Sequence, residues 1–252
     1  MKGNFNPFSL KGKTILVTGA SSGIGRGIAV SCSRMGAMIV VAGRNEKRLD
    51  ETLSLMEEGL HAKMVCDLTI QDDVLTAVSA LPKLDGIVHC AGIGQRIPAK
   101  LLQEGNVDSV MSVNFKAPIL LQAELLKQKK VNKAASIVFI ASIASWSPSV
   151  GNSIYSASKG AIISYANCLS LELAPRLIRV NCISPAMVWT DLVLADGTDA
   201  DQLKEDEKNY PLKRYGTPDD IANLAVYMLS DASTWMTGSN VNITGGGHFV
   251  VR

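Results

Sequence analysis

Charge of one sign, paired cysteines, clustered histidines and long apolar runs are all missing from this chain, and each absence excludes a class of protein. The 25 lysines and arginines are nearly balanced by 23 aspartates and glutamates, leaving a formal net charge of +2 over 252 residues. A nucleic-acid binder needs a concentrated basic face, whereas here the basic residues are interleaved with acids except for short clusters such as Lys127, Lys129 and Lys130, which read as a solvated helix end. Cys32, Cys66, Cys90, Cys168 and Cys182 are odd in number, widely spaced and without a C-x-x-C pair. A disulfide framework is therefore not expected, and a reducing, cytoplasmic setting is. His61, His89 and His248 lie far apart with no i, i+4 pairing, so no metal site is readable. No segment approaches the roughly 20 apolar residues of a membrane span, and the first ten residues hold no run of signal-peptide length.

What remains is an ordinary globular composition, 47% hydrophobic and 19% charged. The length suits one α/β domain covering residues 1–252. Runs rich in Val and Ile at 14–18, 38–43, 62–66, 86–89, 136–141, 179–183 and 240–243 are continuously apolar, as strands covered on both faces are. Segments such as 25–35, 46–58, 107–127, 153–173 and 218–229 carry apolar residues at helical spacing. This alternation predicts βαβ crossovers and a doubly wound parallel sheet with helices on both faces. Residues 187–212 break the rhythm with a polar, acidic stretch, and read as a surface loop or a mobile lid over the substrate.

The first strand runs into Thr18-Gly19-Ala20-Ser21-Ser22-Gly23-Ile24-Gly25 and then into a helix. Gly19 permits a tight turn, Gly23 admits a pyrophosphate close to the backbone, and Gly25 lets the helix approach the sheet. Helix N–H groups would then face negative charge. A P-loop would need a Lys-Ser/Thr after the glycines, which is absent, so a dinucleotide is favoured over a nucleoside triphosphate. The second strand ends in Arg44, where an acid would bind ribose hydroxyls and repel a 2′-phosphate. Arg44 favours NADP(H) over NAD(H), its alternative being a solvent-exposed side chain at a helix start.

Downstream stand Asp67 after the third strand, Asn114 in a helical segment, Ser142 past the fifth strand, and Tyr155-Ser-Ala-Ser-Lys159 on the next helix. Tyr155 and Lys159 are i, i+4 and share a helix face. An ammonium beside a phenol favours the phenolate, the form that proton exchange near neutral pH requires. Ser142 has a hydroxyl able to hold a carbonyl oxygen in line. Taken singly, each has a structural alternative: a surface pair, a helix cap, a turn residue, an exposed strand-end acid.

In order and position, these motifs resemble the short-chain dehydrogenase/reductase family, and the likeness, greatest to the bacterial 3-oxoacyl-thioester reductase type, covers nearly the whole chain. The resemblance implies a seven-stranded Rossmann-type sheet of order 3-2-1-4-5-6-7, with Tyr155 as acid/base, Ser142 orienting the substrate, Lys159 also binding the nicotinamide ribose, and Asn114 in a proton relay. It implies cofactor contacts from Gly19, Ser21, Ser22, Gly23, Ile24, Gly25, Arg44, Asp67, Leu68, Cys90, Ala91, Gly92, Tyr155, Lys159, Pro185, Val188 and Thr190. It also implies a homotetramer, or a dimer. Three positions depart from the family pattern. Cys90 replaces the asparagine of Asn-Ala-Gly, Ala186 replaces the glycine of Pro-Gly, and Ser22 stands where some NADP-preferring relatives carry a basic residue.

Substrate choice is expected in residues 93–98, 144–152 and 187–212, at the carboxyl ends of strands. They hold Trp146, Met187, Val188, Trp189, Leu192 and Leu194 but scarcely a fixed charge near the Tyr155–Lys159 pair, which points to a neutral or partly apolar carbonyl or alcohol. An acyl carrier protein would need a basic rim, for which Lys129, Lys130 and Arg176 are candidates. The expected activity is NADP(H)-dependent carbonyl reduction. Its rivals are an NAD-dependent secondary-alcohol or polyol dehydrogenase and a nucleotide-sensing scaffold without catalysis.

Overall fold

The computed structural model describes residues 5–194 and 199–247. In chain order the elements are β1 (Thr14–Thr18), α1 (Gly23–Arg34), β2 (Met38–Gly43), α2 (Glu46–Ser54), β3 (Ala62–Val65), α3 (Gln71–Ala80) and β4 (Leu84–His89). There follow α4 (Glu104–Met111), α5 (Ala117–Lys127), β5 (Val131–Ile140), α6 (Ser153–Leu173), β6 (Arg179–Pro185), α7 (Asp191–Leu194), α8 (Ala200–Glu207), α9 (Pro218–Leu229) and β7 (Asn240–Ile243). All seven strands pair in parallel in the order β3-β2-β1-β4-β5-β6-β7. This is the expected doubly wound sheet.

The continuous apolar strands are explained by two cores, one on each face. Ile15, Val17, Val41, Val88 and Val138 point to α1, α2 and α9, where they meet Ile28, Leu49, Ile221 and Met228. Leu16, Val40, Ile87, Ile137 and Phe139 point to the opposite face, against Val78 of α3, Leu121 and Leu125 of α5 and Ile162 of α6. Successive residues of one strand thus enter different cores, so no position in β1 after Thr14 tolerates water.

Several sequence boundaries differ from the structure, β5 beginning already at Val131 and α2 ending at Ser54 among them. The second glycine of the turn, Gly23, is already helical, so α1 begins two residues before position 25. The continuous helix read over 107–127 is divided: α4 starts at Glu104, and a π-helical turn, Ser112–Lys116, separates it from α5, whose early Pro118 suits a helix start. Residues 187–212, read as a loop, contain α7 and α8, the latter capped by Asp199 accepting from Asp201. The acidic stretch at 195–198 and His248 lie outside the described residues. α3, with Val74 and Val78 its only buried positions, was too sparsely apolar to announce itself by periodicity.

His89, at the end of β4, is a core residue. It stacks on Phe139 at 4.6 Å between ring centres and shares a 3.0 Å hydrogen bond with Gln122 of α5. Burial outweighs that bond and pushes its pKa down to about 4 from 6.5. The unfolded chain therefore binds the extra proton first, and stability is lost as pH falls from about 6.5 towards 4. At pH 5 the expected loss is about 2 kcal/mol relative to pH 7.5. Urea unfolding of wild type and of the double variant His89→Phe/Gln122→Leu across this range checks it. The variant should lose much of the acid limb between pH 6.5 and 5, and an unchanged limb would contradict the assignment.

Candidate active site

At the carboxyl ends of the strands lies a cleft of about 940 Å³. Its lining includes every residue named above as a cofactor contact, together with Ser142. It opens where β1 turns towards β2 on one side and β4 towards β5 on the other, the reversal point of the strand order.

Gly19 has φ +65°, and a Cβ there would come within 2.8 Å of the Ala91 Cα. A Cβ on Gly25 would collide with the Gly19 carbonyl oxygen. Both positions demand glycine, one for conformation and contact and the other for contact alone. The Thr18 hydroxyl accepts from the backbone N–H of Cys90 at 3.0 Å and of Ala91 at 3.2 Å, tying the two turns together. Burial pushes the Cys90 thiol up to about 12, with Lys159 pulling weakly the other way, so it stays protonated and inert at neutral pH. α1 then starts with no side-chain cap from Ser22 and no acid in its first turn. Its first N–H groups face the cleft as an anion site. A glycine cradle that any Cβ would fill, under an uncapped helix start, fits the diphosphate of a dinucleotide.

At the end of β2, Arg44 is 69% exposed and stands 3.7 Å from Asp67 across the cleft. The Thr69 backbone N–H and hydroxyl donate to Asp67 at 2.9 and 2.7 Å. These two bonds, with Arg44 adding less, hold the Asp67 carboxyl below its usual range. Its orientation is thus fixed before any ligand arrives.

At the far end Tyr155 and Lys159 descend from the first two turns of α6. Lys159 is buried, its Nζ donating to the Ile140 carbonyl at 2.9 Å and lying 5.6 Å from the centre of the Tyr155 ring. Ser142 follows β5, and its hydroxyl oxygen accepts from the Ala144 N–H at 3.1 Å. The hydroxyl hydrogen is left to point at a ligand. Asn114 does not line the cleft but sits one layer behind it, in the π-helical turn. Its Oδ1 accepts from the Ile93 N–H at 2.8 Å, and its Nδ2 donates to the Ile93 carbonyl and to the Ser158 hydroxyl. A Cβ on Gly92 would lie 3.3 Å from Asn114 Oδ1 and 3.4 Å from Lys159 Nζ, so these groups converge on one backbone position.

Sequence reasoning missed the residues that hold the 187–212 segment. Glu207 of α8 accepts from the Trp189 indole at 2.6 Å and from the Tyr215 N–H at 2.8 Å. Trp189, Tyr210 and Tyr215 pack ring against ring around Leu203. This small core carries Leu203 and Tyr210 to the cleft wall. No periodic pattern marks it, because its members come from short elements. Arg96 also lines the cleft, which corrects the reading of residues 93–98 as contributing scarcely any charge. Lys130 and Arg176, offered above as a basic rim, instead bond the Ser79, Leu81 and Val131 carbonyls at the opposite, amino ends of the strands. Among the described residues no cluster suits a metal ion, and no helix is long and apolar enough to cross a membrane.

Sheet order, glycine turn and converging Tyr, Lys and Ser define a class, dinucleotide-binding oxidoreductases. A family model described as enoyl-(acyl carrier protein) reductase matches residues 19–248, and the chain belongs to the short-chain dehydrogenase/reductase family. It is an NAD(P)-dependent enzyme of that family. A 3-oxoacyl-(acyl-carrier-protein) reductase from Rickettsia felis is 32% identical over 94% of this chain and 97% of its own length. An L-xylulose reductase from Caenorhabditis elegans is 34% identical, covering 93% of this chain and 95% of its own. Among solved structures, a 3-ketoacyl-(acyl-carrier-protein) reductase from Brucella melitensis complexed with NADH aligns with TM-score 0.86 at 28% identity, over 96% of this chain and 100% of its own. An Agrobacterium tumefaciens protein assigned as a 2-deoxy-D-gluconate 3-dehydrogenase, with NADP bound, aligns with TM-score 0.86 at 32% identity, over 96% and 98% of the two chains.

Removing the shared acceptor of this small core by Glu207→Ala leaves two donors stranded, at an expected cost of about 2 kcal/mol. The melting temperature should drop by several degrees and tryptophan emission should shift to the red, while Glu207→Gln retains most of both. Unchanged emission in Glu207→Ala would contradict the role given to this carboxylate.

Proposed function

We propose that the protein is an NADP(H)-dependent carbonyl reductase, reversible in principle, in which Tyr155 exchanges the proton with the substrate oxygen. The observation that carries this reading is the convergence of Tyr155, Lys159 and Ser142 on the same cleft as the glycine turn. A bound nicotinamide would supply the hydride that the carbonyl carbon takes up in reduction. Tyr155 gives its phenolic proton to the carbonyl oxygen, and the alcohol forms. Ser142 donates its hydroxyl hydrogen to the same oxygen and holds it in line. Lys159, fixed on the Ile140 carbonyl, keeps a positive charge beside the phenolate that Tyr155 becomes. Asn114 fixes the Ile93 backbone behind Lys159, where a relay returning the proton from solvent would run.

The cofactor would be held by the α1 N–H groups and the Gly19–Gly25 turn at its diphosphate, by Asp67 and Leu68 at adenine, and by Arg44 at the 2′-phosphate. Lys159 and Tyr155 would meet the nicotinamide ribose, with Cys90, Ala91 and Gly92 along one wall and Pro185, Val188 and Thr190 at the nicotinamide. The substrate is a small carbonyl or alcohol bound between residues 93–98, 144–152 and 187–212, within the same single domain of residues 1–252. The relatives' names span acyl thioesters and sugars. An acyl carrier protein partner draws its support from those names and not from Lys130 or Arg176. We further infer a homotetramer or dimer, supported by the 78% exposed Leu171 on α6, and a cytoplasmic setting, supported by five free cysteines.

Tyr155→Phe is expected to lower kcat on any accepted carbonyl by about 10²–10⁴-fold while leaving NADPH affinity nearly intact. Turnover at the wild-type level would overturn the assignment. The second reading, an NAD-dependent dehydrogenase, draws on the uncharged Ser22 and on the NADH-bound relative. Separate titrations decide: NADPH should bind about tenfold or more tighter than NADH, and Arg44→Ala should close most of the gap. Tighter NADH would favour the second reading.

A further inference from the structure

The end of the cleft left for a substrate carries a positive charge of its own. We infer that the substrate is a hydroxylated carboxylic acid, a keto acid in the reductive direction, and that Arg96 binds its carboxylate; this rests on the carbonyl-reductase reading above and narrows it to one class.

Arg96 lies on a strip, residues 93–97, that is pinned at both ends to the start of α6, where Tyr155 stands. At one end Asn114 bonds both the N–H and the carbonyl of Ile93. Its Nδ2 also donates to the Ser158 hydroxyl, which in turn donates to the Tyr155 carbonyl at 2.7 Å. At the other end the Ile97 N–H donates to the Gly151 carbonyl at 2.8 Å, and Gly151 stands two residues before α6. The chain between the two pins spans at most about 14 Å. Its middle runs beneath α7, since a Cβ on Gly94 would lie 3.6 Å from Leu192 Cδ1. Exposure alternates along the strip, with Ile93, Gln95 and Ile97 half-buried and Gly94 and Arg96 exposed. Arg96 therefore emerges on the side of Gly94 and forms part of the cleft wall.

The charge balance at this end is one-sided. Among the described residues, the charged side chains that line the cleft outside the cofactor contacts are Arg96 and Asp191, and Asp191 pairs with Arg48 of α2. Lys159 adds a second positive charge beside the Tyr155 ring. A neutral sugar or an acyl thioester brings nothing to a guanidinium, whereas a carboxylate matches its planar fork with two parallel hydrogen bonds. A phosphate dianion is met by clustered arginines, so one guanidinium suits the singly charged group better. Ser147, Ser149 and Asn152 line the neighbouring wall with groups that donate and accept, as hydroxyls between carboxylate and carbonyl require. The carboxylate is unchanged by the reaction. The keto carbon takes the hydride, its oxygen takes the Tyr155 proton, and the acid group fixes which carbon reacts.

The test measures oxidation of aldonic acids, of their amides and of terminal phosphate esters of the same carbon chains by the intact protein, with NADP⁺ and with NAD⁺. Each amide keeps the shape of its acid without the charge. Wild type should prefer acid to amide by about 10- to 100-fold in kcat/KM. Arg96→Ala should bring that ratio close to one, with most of the loss in KM, because the contact is the same in the ground state and the transition state. Arg96→Lys, which keeps the charge but loses the fork, should restore part of the ratio. An acid-to-amide ratio near one in wild type, a ratio unchanged in Arg96→Ala, a preference for the phosphate ester, or turnover confined to uncharged carbonyls and alcohols would each overturn the inference and leave the reductase reading standing. If wild type turns over neither these compounds nor any uncharged carbonyl or alcohol with either cofactor, the reductase reading falls and takes the inference with it.

Discussion

The architecture depends on one close approach, where β1 and β4 end side by side and leave in opposite directions. Gly19 lies against the Ala91 backbone with no room for a Cβ, and the Thr18 hydroxyl accepts from the N–H groups of both Cys90 and Ala91. That stitch keeps the two turns at a fixed spacing, and the cleft exists because nothing crosses it at that point. From one lip α1 presents its uncapped N–H groups, and from the other Gly92 brings the backbone against Asn114 and Lys159. The glycine turn and the Tyr155–Lys159 pair are thus positioned from the same pair of strands.

This arrangement also explains how the departures from the family pattern are absorbed. Loss of an asparagine at position 90 removes an amide, yet the neighbouring N–H groups are satisfied by Thr18 from the opposite strand. The thiol that takes the amide's place is half-buried at the cleft wall, and its pKa is pushed up so that it stays protonated. At position 186 the added methyl of alanine lines the cleft without closing it, and the Ala186 N–H keeps its bond to the Ile243 carbonyl. Both substitutions alter side chains while leaving the backbone frame in place.

Much of this was legible in the sequence, for identifiable reasons. The central strands β2, β1, β4, β5 and β6 are largely buried and write themselves as apolar runs, while the edge strands β3 and β7 are mostly exposed or half-buried and carry polar residues; the alternation with helical segments still located all seven. The glycines were legible because no other residue can stand where Gly19 and Gly25 stand. The lid was not. Its core joins Trp189, Glu207, Tyr210 and Tyr215 from short helices and turns, where no period accumulates, and its hydrogen bonds run between residues about eight to twenty apart. The π-helical turn was equally hidden, since it continues the helical spacing while shifting which side Asn114 faces.

The account's central claim is that one cleft binds the whole dinucleotide and ends at Tyr155. The most direct measurement is a structure of the protein with NADP⁺ bound. The account requires the diphosphate on the α1 N–H groups, the adenosine between Arg44 and Asp67, and the nicotinamide ring facing the Tyr155 and Ser142 hydroxyls. A nucleotide bound elsewhere, or one whose nicotinamide points away from Tyr155 while its diphosphate sits on the turn, would contradict it.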